Sequence, residues 1–466
     1  MQIHFLGHAS LLIETSAGNI LMDPVFGASH QEGLLDVFPK RVLRELDALR
    51  FELLVISHRH LDHFDVETLA GLSRECRVII PDDDLIAHAL HELGYRQVER
   101  VHDFDELAFG EVRLTITRSE NRVPEFGLIV RDGPCLLWNA VDTIVSEATS
   151  SRIAAQLGQV DLLIAPWQPL LENNFPLNRS LAFPHERVGA MLEQIARIAP
   201  RHVVPGSCMF AYLPPAAFMN QLVFPLTLKR FVRALEQRCP ALAASCHAAQ
   251  PSDLLRLDAR AGAAPVVAHA PGASRFAVRL ADGGPEPRFD PVRFGVPFEH
   301  PAPGPTPGAD VPVEARQWRV AEAECTDALP RHILGMDPAL RAAHREWDVI
   351  YQLNVVSPTR TQSWHYRLAD AAPRAQSGPS DYANLESTIT LAALHGLVEG
   401  TLGWDHALLS GSFRSFASIY RVDPQGLTWP APRAVAEPLR RHYTYDAQLE
   451  RIVGRQLARL GRAGSR

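Results

Sequence analysis

Three histidines and an aspartate lie within six residues of the chain, in the order His58-Arg59-His60-Leu61-Asp62-His63. They follow the apolar run 52–57, which predicts a buried strand. Side chains two residues apart on an extended chain point the same way, so His58 and His60 can bind one metal ion together. Asp62 and His63 lie on the following turn and can face a second ion. This donor set suits zinc, iron or manganese, and the alternative is an exposed histidine-rich loop.

The elements around this motif are predicted to be short strands with helices between them. This order over residues 1–258 predicts an α/β sandwich with helices on the outside. An Asp132-Gly133 turn indicates a hairpin between two of the strands. The predicted strands are Gln2–Leu6, Ser10–Glu14, Asn19–Met22, Glu52–Ser57, Arg77–Pro81, Val112–Thr117, Gly127–Val130, Cys135–Asn139, Asp161–Ala165 and His202–Pro205, and the predicted helices are Asp65–Ser73, Asp84–Leu93 and Glu186–Ile198.

The composition is that of an ordinary globular protein. The 466 residues are 46% hydrophobic and 21% charged, which suggests two or three domains. A formal net charge of −7 argues against nucleic acid and anionic membrane surfaces as partners. No apolar run is long enough for a membrane span, and no signal peptide is visible. The six cysteines are scattered, so we expect reduced thiols and a cytoplasmic location.

A change of composition divides the chain. Residues 282–310 are dense in proline and glycine, which predicts a connector over residues 259–310 between the first domain and a second globular region, 311–466. Within that region we expect a helix over Ser387–Leu397. Its order of strands and helices is similar to sterol-carrier-protein-2-like domains. That likeness implies an α+β accessory domain that binds an apolar substrate. The same region also loosely resembles the end of the sialic-acid hydroxylase family, which would make it an interaction or lid domain. The oligomeric state is not indicated.

The metal motif resembles the signature of the metallo-β-lactamase superfamily. The segments Gly7-His8-Ala9-Ser10 and Asp23-Pro24 are similar to the branch with N-acylphosphatidylethanolamine phospholipase D and L-ascorbate-6-phosphate lactonase. The sequence around His58 is also similar to that of CMP-N-acetylneuraminate hydroxylase. The resemblance implies an αβ/βα sandwich over residues 1–258 with a dinuclear site at one edge. It implies that Asp23 orients a metal-bound histidine, and that His8 contacts substrate unless it is a structural turn residue.

Further ligands are implied by the same resemblance. Asp142 matches the superfamily's bridging carboxylate, with a helix cap as the alternative. Where the pattern has a histidine, the chain offers Glu120, as in the superfamily's diiron oxygenases; the alternative is an exposed loop residue. Ser207 stands where the last histidine ligand is expected. Either the second metal therefore has an open position, or His185 approaches it as a catalytic residue, with Asp62 and Asp142. The alternative for His185 is that it only caps a helix.

Three functions are compatible with these residues. The first is a dinuclear non-haem iron oxygenase that hydroxylates a bulky apolar or carrier-tethered substrate. It would use two iron ions, with dioxygen as co-substrate. Because the chain has no Rieske motif, its electrons would come from a separate donor. The second is a dinuclear zinc hydrolase of an ester, lactone or phosphodiester. The third is a non-catalytic lipid-binding protein with a degraded metal site. The ligands predicted for either metal pair are His58, His60, Asp62, His63, Glu120 and Asp142.

Overall fold

The computed structural model describes residues 1–259, 265–284, 286–291, 311–431 and 434–463. These residues form two compact units. The first comprises Met1–Leu170, Phe183–Phe289 and the chain from Gln456 onwards, and the second comprises Leu171–Ala182 and Asp290–Arg455.

Apolar, β-branched segments separated by short turns form the strands of the first unit. One example is the pair of strands on either side of the predicted Asp132-Gly133 turn. They are joined by a two-residue loop in which Gly133 has a φ of +56°. The strands are β1 Gln2–Gly7, β2 Ser10–Thr15, β3 Gly18–Met22, β4 Leu35–Val37, β5 Arg41–Leu43, β6 Leu53–Val55, β7 Arg77–Pro81, β8 Gln97–Val101, β9 Glu106–Phe109, β10 Val112–Arg118, β11 Phe126–Asp132, β12 Cys135–Asn139, β13 Leu162–Pro166, β14 His202–Gly206, β15 Phe210–Tyr212, β16 Leu254–Asp258, β17 Val266–Ala270 and β18 Ala277–Arg279.

Two sheets frame the first unit. The larger has the order β17-β16-β1-β2-β3-β6-β7-β8 and the smaller β14-β13-β12-β11-β10-β9. Strands β3, β6, β7 and β8 are parallel neighbours, as are β12, β13 and β14. Parallel strands present their carboxyl ends at one edge of a sheet, and ligands bind outside such edges in open α/β sheets. Two-stranded pairs, β15 with β4 and β18 with β5, complete the unit.

The main hydrophobic core lies between the two sheets. Ile13 and Leu53 of the larger sheet pack in one cluster with Leu114 and Leu137 of the smaller. A second cluster covers the outer face of the smaller sheet with helices. The helices are α1 Val66–Gly71, α2 Asp84–Glu92, α3 Glu147–Leu157, α4 His185–Ile198 and α5 Leu228–Arg238. Two packed sheets with helices outside confirm the predicted α/β sandwich.

The second unit is built on a mixed sheet of five strands in the order β21-β20-β19-β22-β23, and β24 pairs separately with β25. Buried aromatic and leucine side chains join this sheet to its helices. Its strands are β19 Ile350–Val356, β20 Thr361–Arg367, β21 Gln376–Ser377, β22 Leu385–Thr390, β23 Phe413–Ala417, β24 Arg421–Asp423 and β25 Gly426–Thr428. The remaining helices are α6 Val311–Ala323, α7 Leu329–Gly335, α8 Pro338–Glu346, α9 Leu391–Glu399, α10 Trp404–Leu409, α11 Pro438–His442 and α12 Tyr445–Ala463, whose residues from Gln456 belong to the first unit.

Two details differ from expectation. The helix predicted over Ser387–Leu397 begins only at Leu391, because the β-branched residues before it form β22 and the Thr390 side chain caps the helix. Strands β17 and β18 lie within the predicted connector 259–310, where residues 260–264, 285 and 292–310 are outside the described part of the chain. The domain boundaries, the likeness to sterol-carrier-protein-2 domains and the cytoplasmic location stay predictions. No described helix has the length and apolarity to cross a membrane.

Candidate metal centre

The predicted ligands follow strand ends at one edge of the sandwich. Asp23 comes directly after β3, and the His58–His63 motif follows β6, its parallel neighbour. Asp142 follows β12 of the other sheet. In the first of two groups, the ligand atoms of His58, His63 and Asp142 all lie within 4.8 Å of one another. The same holds in a second group of His8, Asp62 and His63.

Asp23 is fully buried beneath the histidines and accepts three hydrogen bonds. Its Oδ1 accepts the backbone N–H of Ser57 at 2.7 Å. Its Oδ2 accepts the Ser57 hydroxyl at 2.7 Å and Nδ1–H of His63 at 2.9 Å. Its backbone has a φ of +44°, a left-handed conformation that is uncommon outside glycine. The role predicted for Asp23, orientation of a ligand histidine, agrees with this geometry.

The same hydrogen bonds assign the tautomers of two ligands. The carboxylate of Asp23 can only accept, so the single Ser57 hydroxyl proton is directed to it. In the 3.0 Å contact between Ser57 Oγ and Nδ1 of His58, the imidazole must therefore be the donor. Both His58 and His63 consequently hold a proton on Nδ1 and offer Nε2 to a ligand. This is the arrangement in which an outer hydrogen bond orients a metal-bound histidine.

Nε2 of His63 is buried, makes no hydrogen bond to the described residues, and faces two carboxylates. It lies 3.3 Å from Asp142 Oδ2 and 3.7 Å from Asp62 Oδ2. Burial lowers the pKa of His63, but Asp62 and Asp142 outweigh it and hold that pKa well above its ordinary value. Burial likewise raises the pKa of Asp142, but His63 and His58 outweigh it, so the carboxyl titrates below its ordinary range. The position between these side chains therefore favours a cation.

His60 lies outside both ligand groups, but its imidazole is next to that of His58. Nε2 of His58 and Nδ1 of His60 are 2.9 Å apart. Two nitrogens bound at 2.0–2.1 Å to one tetrahedral metal ion are about 3.3 Å apart, so a small adjustment suffices. Burial, with the charges of His63 and His60, lowers the pKa of His58 well below its ordinary value. His58 is therefore neutral, which is the state that binds metals. The residues present fit a metal centre.

His8 and Gln31 hold Asp62 from both of its oxygens. The backbone N–H of Met209 donates to Nδ1 of His8 at 3.2 Å, so the His8 proton lies on Nε2. Nε2–H then donates to Asp62 Oδ2 at 3.0 Å, and the Gln31 amide donates to Oδ1 at 3.2 Å. His8, predicted to contact substrate, is thus a neighbour of a candidate ligand. Substrate contact by His8 stays a prediction.

Glu120 is not brought into either ligand group. It lies after the exposed end of β10, where it pairs with Arg118 at 3.2 Å and its side chain is 36% exposed. Glu125, which the sequence analysis missed, is the buried carboxylate of this loop, at 7% exposure. It accepts hydrogen bonds from Ser119 and Asn121. Burial, reinforced by the charge of Asp142, raises the pKa of Glu125 to about 7. Glu125, like Glu120, lies outside both ligand groups, but its charge interacts with those of Asp142 and His63. The role predicted for Glu120 as a ligand stays a prediction.

His185 is also outside both groups. It is the exposed first residue of α4, and its ring packs edge-on against Phe183 at 4.9 Å. The backbone conformation of Pro184 starts the helix there and leaves the imidazole on the surface. Ser207 follows β14 with a φ of +60°, and its carbonyl accepts the indole N–H of Trp167. The catalytic role predicted for His185 has no support in this geometry.

Comparison with known proteins agrees with this arrangement. Residues 2–206 match the model of the beta-lactamase superfamily domain. The sandwich of the first unit therefore has the fold of that superfamily. Among curated proteins, the chain is 25% identical over 236 residues to a Mycobacterium tuberculosis protein named provisionally as a Rieske 2Fe-2S iron–sulfur protein. That match covers 46% of this chain and 45% of the relative, so the chain spans less than half of that relative's length.

Two further relatives are named as metal-dependent enzymes. A metal-dependent hydrolase of Salinibacter ruber is 25% identical, over 36% of this chain and 72% of its own. The 4-amino-L-phenylalanyl-[CmlP-peptidyl-carrier-protein] 3-hydroxylase of Streptomyces venezuelae is 27% identical, over 34% of this chain and 32% of its own. Among solved structures, CmlA, a diiron β-hydroxylase from the same organism, is 17% identical with a TM-score of 0.37 and covers 53% of this chain and 52% of its own.

Proposed function

We propose that the chain is a dinuclear non-haem iron oxygenase that hydroxylates a substrate with an apolar part. The observation that carries the proposal is the number of carboxylates around His63. Asp62, Asp142 and the buried Glu125 all face or influence that imidazole, and each is a hard anionic donor. Such donors favour iron or manganese over zinc. The Streptomyces hydroxylase among the relatives supports the same chemistry.

In this proposal, the two ions would be held by His58, His60, Asp62, His63, Glu125 and Asp142. Bound iron would supply the redox chemistry by which dioxygen is activated. The overall reaction is R–H + O2 + 2e⁻ + 2H⁺ → R–OH + H2O, and a separate electron-transfer protein provides the two electrons.

The chain's own groups fix the site before reaction. Asp23 and Ser57 keep Nε2 of His58 and His63 available, and His8 and Gln31 keep Asp62 in place. Such fixed outer contacts typically contribute 10–100-fold to metal affinity or activity.

The second candidate is a dinuclear zinc hydrolase of an ester, lactone or phosphodiester. The Salinibacter relative favours it, because the match covers most of that hydrolase's length. In the hydrolase, two zinc ions would lower the pKa of water and polarise the bond to be broken.

Metal content and turnover distinguish these functions. Full-length protein made in medium containing both iron and zinc is analysed for metals and by Mössbauer spectroscopy. Two iron ions in a coupled pair support the oxygenase. Two zinc ions with turnover of p-nitrophenyl acetate or bis(p-nitrophenyl) phosphate would establish the hydrolase instead. Substoichiometric metal, with no turnover, would contradict both and leave a non-catalytic lipid-binding protein.

A further inference from the structure

A small apolar cavity lies in the first unit, next to the side chains that hold Asp62. It has a volume of about 70 Å³. The side chains that define its apolar character are Trp167, Met209, Phe210, Phe224, Leu226 and Leu228. The metal chemistry described above uses none of these side chains.

The wall of the cavity contacts the imidazole of His8, which holds Asp62. The ring of Phe210 packs edge-on against His8, with centroids 5.3 Å apart. The adjacent backbone N–H, of Met209, donates to the same imidazole, which in turn donates to Asp62. A group in the cavity would therefore contact Phe210, whose ring also contacts His8.

Polar groups of the cavity wall form hydrogen bonds with other groups of the protein. The indole N–H of Trp167 donates to the carbonyl of Ser207 at 3.1 Å. The amide of Gln168 donates to the carbonyl of Leu226 and accepts its N–H, at 2.7 and 3.1 Å. Among the lining residues that the structure describes, Glu286 carries the only charge, and it is exposed. Pockets that bind small ligands are mostly apolar with few polar groups, so this cavity suits an uncharged apolar group.

The volume limits the size of that group. A dry apolar cavity of about 150 Å³ holds a benzene molecule, so about half that volume suits roughly three carbon atoms. We propose that the cavity is the subsite for a short, branched apolar group of the substrate, such as an isopropyl group. The assignment to a substrate rests on the proposed function, whereas binding of the group itself requires no metal.

Methyl NMR on the full-length protein tests the subsite directly. The chain has six methionines, so protein labelled at the methionine methyl groups gives a simple spectrum, and Met209→Leu identifies the Met209 signal. Isovaleramide, which carries an uncharged isopropyl group on one methylene, is titrated into metal-free and metal-loaded protein, with acetamide as the small control. We expect a saturable shift of the Met209 methyl with isovaleramide in both forms, and at least tenfold weaker binding of acetamide.

Variants that fill the cavity complete the test. Leu226→Phe and, independently, Leu228→Phe place a ring in the cavity and should weaken isovaleramide binding at least tenfold. Leu334→Phe, at an exposed leucine of the second unit, is the matched control and should leave binding unchanged. The absence of a saturable shift, or unchanged binding in both filled variants, would overturn the subsite even if the protein contains two iron ions. Conversely, isovaleramide binding by protein that takes up no metal would support the subsite while refuting the proposed function.

Discussion

Replacing Asp23 with asparagine should damage the metal centre without removing any candidate ligand. In the native chain the Asp23 carboxylate accepts all three of its hydrogen bonds. Asparagine keeps the shape but has one oxygen, which the Ser57 backbone N–H requires. Its NH2 group would then face Nδ1 of His63 and the Ser57 hydroxyl. Because this NH2 group can only donate, the His63 proton would move from Nδ1 to Nε2, which is the nitrogen that a metal needs.

The size of the effect follows from the number of ligands that depend on Asp23. Loss of one outer hydrogen-bond partner typically weakens metal binding 10–100-fold. Asp23 acts on His63 directly and on His58 through Ser57, so we expect the upper end, about 100-fold. This corresponds to about 2.7 kcal/mol, at 1.36 kcal/mol for each factor of ten. Ser57→Ala affects only the His58 branch and should weaken binding about tenfold.

Competition with a chelator of known affinity measures this change, with Co²⁺ as a spectroscopic probe. Asp161→Asn is the matched control, because Asp161 is also buried, also accepts a backbone N–H, and precedes β13 at the opposite end from the site. Its Co²⁺ affinity should equal that of the native protein. If folded Asp23→Asn protein binds Co²⁺ as tightly as the native chain, the tautomer argument is wrong.

Three further predictions concern the ligands themselves. His60→Ala should remove most of the bound metal, with at least about tenfold lower affinity, and full occupancy by elemental analysis would refute its assignment as a ligand. Glu125→Gln should shift metal preference from iron towards zinc in competition experiments, because a neutral oxygen replaces a hard anion, whereas Glu120→Gln should have no effect. Because the pKa of His63 is raised well above its ordinary value and that of Glu125 is about 7, both groups favour a bound proton in the metal-free protein, so metal binding at pH 7 should release protons. Calorimetry in buffers of different ionisation enthalpy measures the number released, which should be smaller in Glu125→Gln, and affinity should decrease as the pH is lowered.

Much of the first unit could be predicted because its elements are encoded locally. Apolar runs between turn residues gave β1, β2, β3 and β12 to within two residues. The boundary at Leu391 was predicted wrongly because Ser387–Thr390 can continue either a strand or a helix. Only pairing with β19 and β23 decides in favour of the strand.

Some of the candidate metal ligands could likewise be predicted from the local sequence, and others could not. The motif His58–His63 is contiguous, so its spacing alone indicates a metal site. Glu120 and Glu125 lie in one loop, and spacing cannot tell which of them is buried. The pairing of Arg118 with Phe126 decides, because it places Glu125 beside the buried strand and leaves Glu120 next to Arg118. The sequence did hold one signal: Glu125 directly precedes an apolar run, whereas Glu120 lies two residues after Arg118. The contact between Met209 and His8 spans 201 residues and leaves no such signal.

The charges around the site explain why these carboxylates belong together. Asp23, Asp62, Glu125 and Asp142 provide four negative charges when all are ionised. In the metal-free chain, the His63 proton offsets part of this charge. The buried Glu125, whose pKa is about 7, keeps its own proton at any lower pH. Two divalent ions would bring four positive charges, so that every carboxylate could ionise without leaving a buried charge uncompensated. In the proposed centre, Glu125 supplies the fourth of these negative charges. The balance holds for two Fe²⁺ ions as it does for two Zn²⁺ ions, so the proposed preference for iron rests on the hardness of the carboxylate donors and not on the charge count.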